Sequence, residues 1–247
     1  MPQCKLCQKN VLELKQSHFI PAGFYRTMTK SSGGYISVTQ KTASNTEVQV
    51  KALLLCACCE QRLNKNGEHW VLNNYFKDSK FHILDNLLKI KPVCENGDDK
   101  YYDVAGNAGI DIEKIVYFAA SIFWRGAVHS WKFPGSKEDP SIKLGQGYLE
   151  GLRFVLLGEE SFPAKASLGV FISPKPVSDG VILPQRANRT GAHFIRHGFF
   201  VPGITFILCL GQKIPDEIKS QCAAKKKILI LSRGGEKLVR ELREKVL

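Results

Sequence analysis

An α+β fold is what this 247-residue sequence predicts, on three observations. Two Cys-x-x-Cys pairs, Cys4-Lys5-Leu6-Cys7 and Cys56-Ala57-Cys58-Cys59, bracket strand-like segments near the start. A stretch of helical periodicity occupies the middle of the chain. Short β-like runs separated by Pro and Gly follow it. Helices and then strands, without strict alternation, are the α+β pattern. The predicted order is a metal-stabilised N-terminal domain over residues 1–80, a connecting region over 81–110 and an α+β domain over 111–247. That last part opens with a helical segment and ends rich in antiparallel strands.

The cysteine pairs come first because they constrain most. Two Cys-x-x-Cys knuckles supply four thiolates, the set that a tetrahedral structural zinc requires. Such pairs are usually separated by about 15–20 residues. Here the gap runs from Gln8 to Leu55, so an insert must fold within the metal loop, and His18 lies inside it. Ordinary buried thiols are the bland alternative, since free cysteine is often a core residue. Two pairs of identical spacing favour zinc, with Cys4, Cys7, Cys56 and Cys59 as ligands and Cys58 as a spare packing thiol. Cys94, Cys209 and Cys222 have no metal spacing.

Inside the loop, Gly33-Gly34 predicts a turn and Tyr35 to Thr39 alternates as a strand does. Glu47 to Leu55 reads as a second strand. Glu60 to Phe76 reads as a helix weakened at Asn66-Gly67. The coarse order is strand, strand, knuckle, helix. From Asp78 to Gly109 little periodicity is visible, although Glu95-Asn96-Gly97-Asp98-Asp99 is a clear turn. Asp111 is a good N-cap for a helix to about Val128 with a wide apolar face. A second helix is expected from Ser141 to Leu157, closed by Gly158. The β-like runs are Gly169–Ile172, Gly180–Leu183, His193–Val201, Ile204–Leu210 and Lys227–Leu231. Glu236 to Leu247 closes the chain as an amphipathic helix. His193, Arg196 and His197 fall on one of these strands without a partnering acid nearby and read as structural.

A hydrophobic content of 44% is ample for a core. No apolar run reaches the roughly 18 residues of a membrane span, and Met1 opens a polar stretch unlike a signal peptide. The expectation is a cytoplasmic protein whose cysteines are ligands and core thiols. The net charge of +12 favours a polyanionic partner. Residues 1–80 carry 11 Lys/Arg against 5 Asp/Glu, so the cysteine-bearing third holds half the excess. A merely solvated surface explains the charge about as well.

Cys-x-x-Cys, then Ser17-His18-Phe19-Ile20-Pro21, then Leu54-Leu55-Cys56-Ala57-Cys58-Cys59-Glu60 and a polar helix resembles the zinc-braced His-Asn-His (HNH) endonucleases of the ββα-metal group. The resemblance covers roughly Met1 to Phe76. It implies an HNH-like domain with a structural zinc remote from the reaction and a separate catalytic divalent ion, Mg²⁺ or Mn²⁺. It implies hydrolysis of phosphodiester bonds, of DNA in the first instance, in bacterial defence against foreign DNA and with a partner protein. His18 would be the general base, its ordinary pKa of about 6.5 suiting that task. Glu60, directly after the second knuckle, would bind the catalytic ion as a hard oxygen ligand. Asn45 is the nearest candidate for the asparagine that orients the base. Glu68 and His69 are candidates for further ligands. The chain departs from the pattern at Ser17, where the family often has a metal-binding acid or histidine. Arg26, Lys30, Arg62 and Lys65 are candidate phosphate contacts. The rival expectation is a non-catalytic zinc module that binds nucleic acid or a partner protein; a third is a subunit that zinc merely braces.

Overall fold

The computed structural model describes residues 1–32, 35–38, 43–46, 49–132, 141–176, 180–186 and 194–233. Of 28–32, 35–38, 43–46 and 185–186 it describes the backbone alone. The Gly33-Gly34 turn, His193, the helix expected over 236–247 and the side chains of Lys30 and Asn45 therefore lie outside the described residues.

The first half holds β1 (Lys15–His18), α1 (Ala22–Ser32), β2 (Tyr35–Val38), β3 (Ala43–Thr46) and β4 (Lys51–Leu55). A helical run follows as α2 (Ala57–Leu63), a π-helical turn over Asn64–Glu68 and α3 (His69–Asn74). Then come α4 (His82–Leu87), β5 (Cys94–Asn96) and β6 (Asp99–Asp103). The second half holds α5 (Ile112–Val128), α6 (Gln146–Leu157), β7 (Ala166–Ile172), β8 (Gly180–Arg186), β9 (Phe194–Val201) and β10 (Ile204–Gly211). It closes with α7 (Asp216–Ser220), α8 (Ala223–Lys226) and β11 (Ile228–Leu231). The fold is mixed α+β. No helix among the described residues is long and apolar enough to cross a membrane.

Two sheets form. β1 and β4 pair antiparallel, His18 opposite Lys51 and Ser17 opposite Ala52. The nine other strands make one sheet in the order β3-β2-β8-β9-β10-β7-β11-β6-β5. Its neighbours run antiparallel except at β2–β8 and β11–β7. The stretch with little periodicity contributes a helix and a hairpin, closed by Asn96 opposite Asp99 with Gly97 at φ +59°. Most of the buried apolar residues among those described form one cluster that includes Leu55, Leu63, Ile83, Tyr102, Phe118 and Phe206. Segments that the sequence sets apart as 1–80, 81–110 and 111–247 thus contribute to one core.

α5 is the centre of that core. Asp111 caps it, its carboxylate accepting the backbone N–H of Lys114 at 3.1 Å, as the sequence predicts. Phe118 meets Phe206 edge-on at 5.7 Å and Phe123 meets Phe199 at 5.0 Å, while Phe118 also lies 5.8 Å from Phe24 of α1. One helix therefore packs on the large sheet and on the cysteine-bearing segment at once. Each fully buried phenylalanine contributes roughly 1.5–3 kcal/mol by leaving water. α6 begins at Gln146, later than expected, because Gly145 at φ +81° cannot continue a helix backwards; it ends on Gly158 at φ +76°, as expected.

Gly67, which reads as a weak point in the sequence, is a packing contact. A Cβ placed there would lie 2.8 Å from the Phe118 backbone nitrogen and 3.2 Å from the Lys114 carbonyl oxygen. Both obstacles are backbone, so neither moves cheaply. In a helix interior Gly→Ala ordinarily gains about 1 kcal/mol. Gly67→Ala is expected to reverse that sign and destabilise by about 1–3 kcal/mol through overpacking. A urea-midpoint comparison reads the sign directly.

Candidate functional site

The cysteine-bearing segment is built from two knuckles held face to face. In the first, the Gln8 N–H donates to the Cys4 carbonyl at 2.9 Å and the Cys4 N–H to the Lys9 carbonyl at 3.0 Å. Gln8 closes this turn at φ +58°, a left-handed conformation that non-glycine residues adopt at some cost. In the second, Cys56 precedes α2 with extended backbone and Cys59 lies in its first turn. The Lys5 N–H donates to the Leu54 carbonyl at 3.1 Å, and the Cys56 N–H to the Cys4 sulfur at 3.3 Å, joining the knuckles.

The sulfur atoms of Cys4, Cys7, Cys56 and Cys59 all lie within 4.8 Å of one another. Cys7 and Cys56 are 3.9 Å apart. A tetrahedral zinc with Zn–S bonds of about 2.3 Å puts its sulfurs about 3.8 Å apart, so the donor set fits such an ion. Burial pushes the Cys59 thiol up, and the neighbouring Cys56 and Cys4 sulfurs push it further. Burial likewise raises Cys7. At Cys4 burial works in the same direction but is outweighed by hydrogen bonds from the backbones of Cys56, Cys7 and Leu6, and the thiol is lowered. Crowded sulfurs that resist joint ionisation are what a bound cation relieves. The four cysteines can therefore hold a metal ion such as zinc. Cys58 lies outside the set and is exposed, so it is a spare thiol but not a packing one.

Beside the sulfurs runs a polar chain. Ser17, fully buried on β1, donates its hydroxyl to Glu60 Oε1. The other Glu60 oxygen, Oε2, lies 3.9 Å from Arg125 Nη2, and Arg125 Nη1 lies 2.6 Å from Glu68 Oε1. Glu60 is the most exposed member, its side chain at 27%, against 11% for Glu68 and 1% for the Arg125 between them. Burial pushes the Glu68 carboxyl up, with the Arg125 guanidinium pulling the other way. Glu60 and Glu68 therefore share a guanidinium. Only Glu60 retains appreciable exposure, and Glu68 sits beneath the surface against Arg125 rather than open to an ion. The cysteines are the one group of three or more metal-ligating side chains among the described residues.

His18 follows Ser17 and so projects from the other face of the strand. It is half-buried, opposite Lys51. The Gln49 side chain acts on the imidazole as a weak influence that favours its charged form. Burial lowers its pKa, the Lys51 ammonium lowers it further, Glu60 opposes both, and Arg125 adds to the lowering. Comparison with known protein families, with curated proteins and with solved structures found no match. The site is therefore read from its own geometry.

That geometry sorts the remaining candidates. Arg26 and Lys65 are exposed. Arg62 is exposed too, but its Nη1 donates to the Leu157 carbonyl at 2.7 Å, satisfying the end of α6. His69 is exposed, with Nε2 3.2 Å from Asn73 Nδ2. Arg196 and His197 lie on β9, a strand as expected, and His197 is buried. Two residues of the site escape the sequence reading. Gln49 gives no signal until the register of β1 on β4 is known. Arg125 does leave one, a cation inside the apolar run Ile122-Phe123-Trp124-Arg125-Gly126.

Proposed function

We propose that the chain is a metal-dependent HNH-type endonuclease that hydrolyses phosphodiester bonds, with DNA as its substrate and a zinc ion in the four-cysteine set. The observation that carries the reading is the Ser17–Glu60 hydrogen bond. It ties the strand bearing His18 to the first turn after the second knuckle, so the element that carries the base is fixed to the one that carries the carboxylate, and Glu60 acts electrostatically on the imidazole. The antiparallel β1–β4 pair leading into α2 gives the strand, strand, helix order of a ββα unit, which also supports the reading.

Four thiolates fill a tetrahedral zinc and leave no open position, so its part is structural. Mg²⁺ keeps several waters and is usually held by one or two carboxylates together with substrate phosphate. Glu60 suits that as a single ligand, and such an ion, when bound, supplies charge stabilisation at the leaving oxygen. His18 takes the proton from the attacking water, its lowered pKa keeping the ring neutral at neutral pH. The exposed Lys51, opposite His18 across the strand pair, is placed to meet a phosphate.

Purified protein incubated with supercoiled plasmid and Mg²⁺ or Mn²⁺ is expected to yield nicked circles. EDTA is expected to stop the reaction, and Glu60→Ala to lower its rate. DNA retained at low salt with no nicking under any divalent ion would replace this reading with that of a non-catalytic nucleic-acid-binding zinc module. One observation favours that rival: a guanidinium already supplies positive charge to both carboxylates.

A further inference from the structure

We infer that the C-terminal end of α5 clamps the strand segment carrying His18, with Arg125 as the positioning residue. The inference rests on the reading of His18 as a general base and extends it to a part of the chain far away in sequence. His18 has two neighbours, and each is fixed through Arg125 by a separate route. On one side the Ser17 hydroxyl donates to Glu60, whose other oxygen faces the Arg125 guanidinium at 3.9 Å. On the other side the Phe19 ring, fully buried, stacks on Trp131 at 4.7 Å with 6° between the planes. The indole N–H of Trp131 donates to the Arg125 backbone carbonyl at 2.8 Å.

Gly126 completes the arrangement. A Cβ there would come within 3.2 Å of the Phe19 ring, so the absence of a side chain lets Phe19 lie against the helix. The guanidinium suits the task because its planar fork presents two nitrogens to two carboxylates at once, which a lysine ammonium cannot reproduce. Glu68, 2.6 Å from Nη1, orients that fork from below. At 1% exposure Arg125 does not reach a nucleic acid, so it acts through its neighbours. The end of α5 thereby becomes part of the candidate site.

The test replaces the buried pair and leaves Glu60 partly exposed and hydrogen-bonded to Ser17. Arg125→Met combined with Glu68→Leu substitutes apolar side chains for the ion pair, an exchange that is often neutral or stabilising. This double variant is expected to keep its zinc and its thermal midpoint, to bind DNA with unchanged KM, and to lose about 10²-fold in kcat, the scale of a misplacement of about 1 Å. The His18 ring is read independently of turnover, by the ¹H–¹⁵N spectrum of its imidazole. Wild type is expected to show one fixed tautomer and the double variant an averaged ring. Trp131→Phe keeps a ring on Phe19 but removes the bond to the Arg125 carbonyl. It is expected to lower kcat and average the His18 ring in the same way, and it decides the matter if the double variant does not fold. A folded variant with wild-type kcat and an unchanged His18 spectrum would overturn the clamp. If wild type cuts no DNA, the nuclease reading falls, and the His18 spectra still decide whether Arg125 positions the ring.

Discussion

Cys56→Ser is expected to lose its metal and to melt the knuckles together with the β1–β4 pair. Cys56 is one of four sulfurs within 4.8 Å of one another, and its own N–H bonds the Cys4 sulfur. A serine hydroxyl is a poor zinc ligand, and three remaining thiols do not close the set. Structural zinc in small domains supplies an apparent free energy of about 10–16 kcal/mol to folding. Here the segment also packs on α5 and α6 through Phe19, Gly67 and Arg62, which retains part of its order. A loss of about 5 kcal/mol lowers the midpoint of a chain this size by about 10–20 °C. Zinc analysis should give less than stoichiometric metal, and hydrogen exchange should show early loss of protection over 15–18 and 51–55. Cys58→Ser is the control. That thiol is exposed and outside the set, so zinc and midpoint should both be retained.

His18→Ala is expected to abolish nicking while leaving zinc content and DNA affinity intact. General-base catalysis is typically worth about 10²–10⁴-fold. The pH dependence follows from the sign of the shift. Burial, Lys51 and Arg125 hold the folded His18 below its ordinary value of 6.5, against Glu60. The neutral ring therefore persists to lower pH in the folded protein than in the unfolded chain. Activity should hold through neutral pH and fall only as pH drops through the lowered folded value. Stability follows the same sense. The contribution of His18 is present above pH 6.5 and is lost as pH falls through the folded pKa, because the unfolded chain binds the proton first. His18→Gln should flatten that acid-side slope in denaturant titrations at stepped pH. A slope unchanged by the substitution would show that the ring is not held in the neutral form by its surroundings.

Local signals carried far into the structure, and non-local ones did not. Asp111 caps its helix, Gly158 ends another in the left-handed region, and Glu95 to Asp99 turns a hairpin, because each depends on a few adjacent residues. The four sulfurs meet as their spacing implies. The order of the nine-stranded sheet was not legible. β2 pairs with β8, and β6 with β11, across more than a hundred residues, and alternation within a strand says nothing about its partner. For the same reason the division at 81–110 gives no hint that β5 and β6 form one edge of that sheet. At the site, Glu60 and His18 could be named from motif context. Gln49 required the strand register, and Arg125 required the docking of α5. The pairing of Glu68 with that arginine reverses the solvent exposure that a polar helix suggests.

One ion gathered by four sulfurs is proposed to brace the strand of His18 against the turn that carries Glu60. Zinc K-edge absorption on the purified protein, together with metal content, tests it most directly. One zinc per chain with a single shell of four sulfurs at about 2.3 Å is the expected result. A chain that folds without zinc, or a zinc surrounded by nitrogen and oxygen, would contradict it.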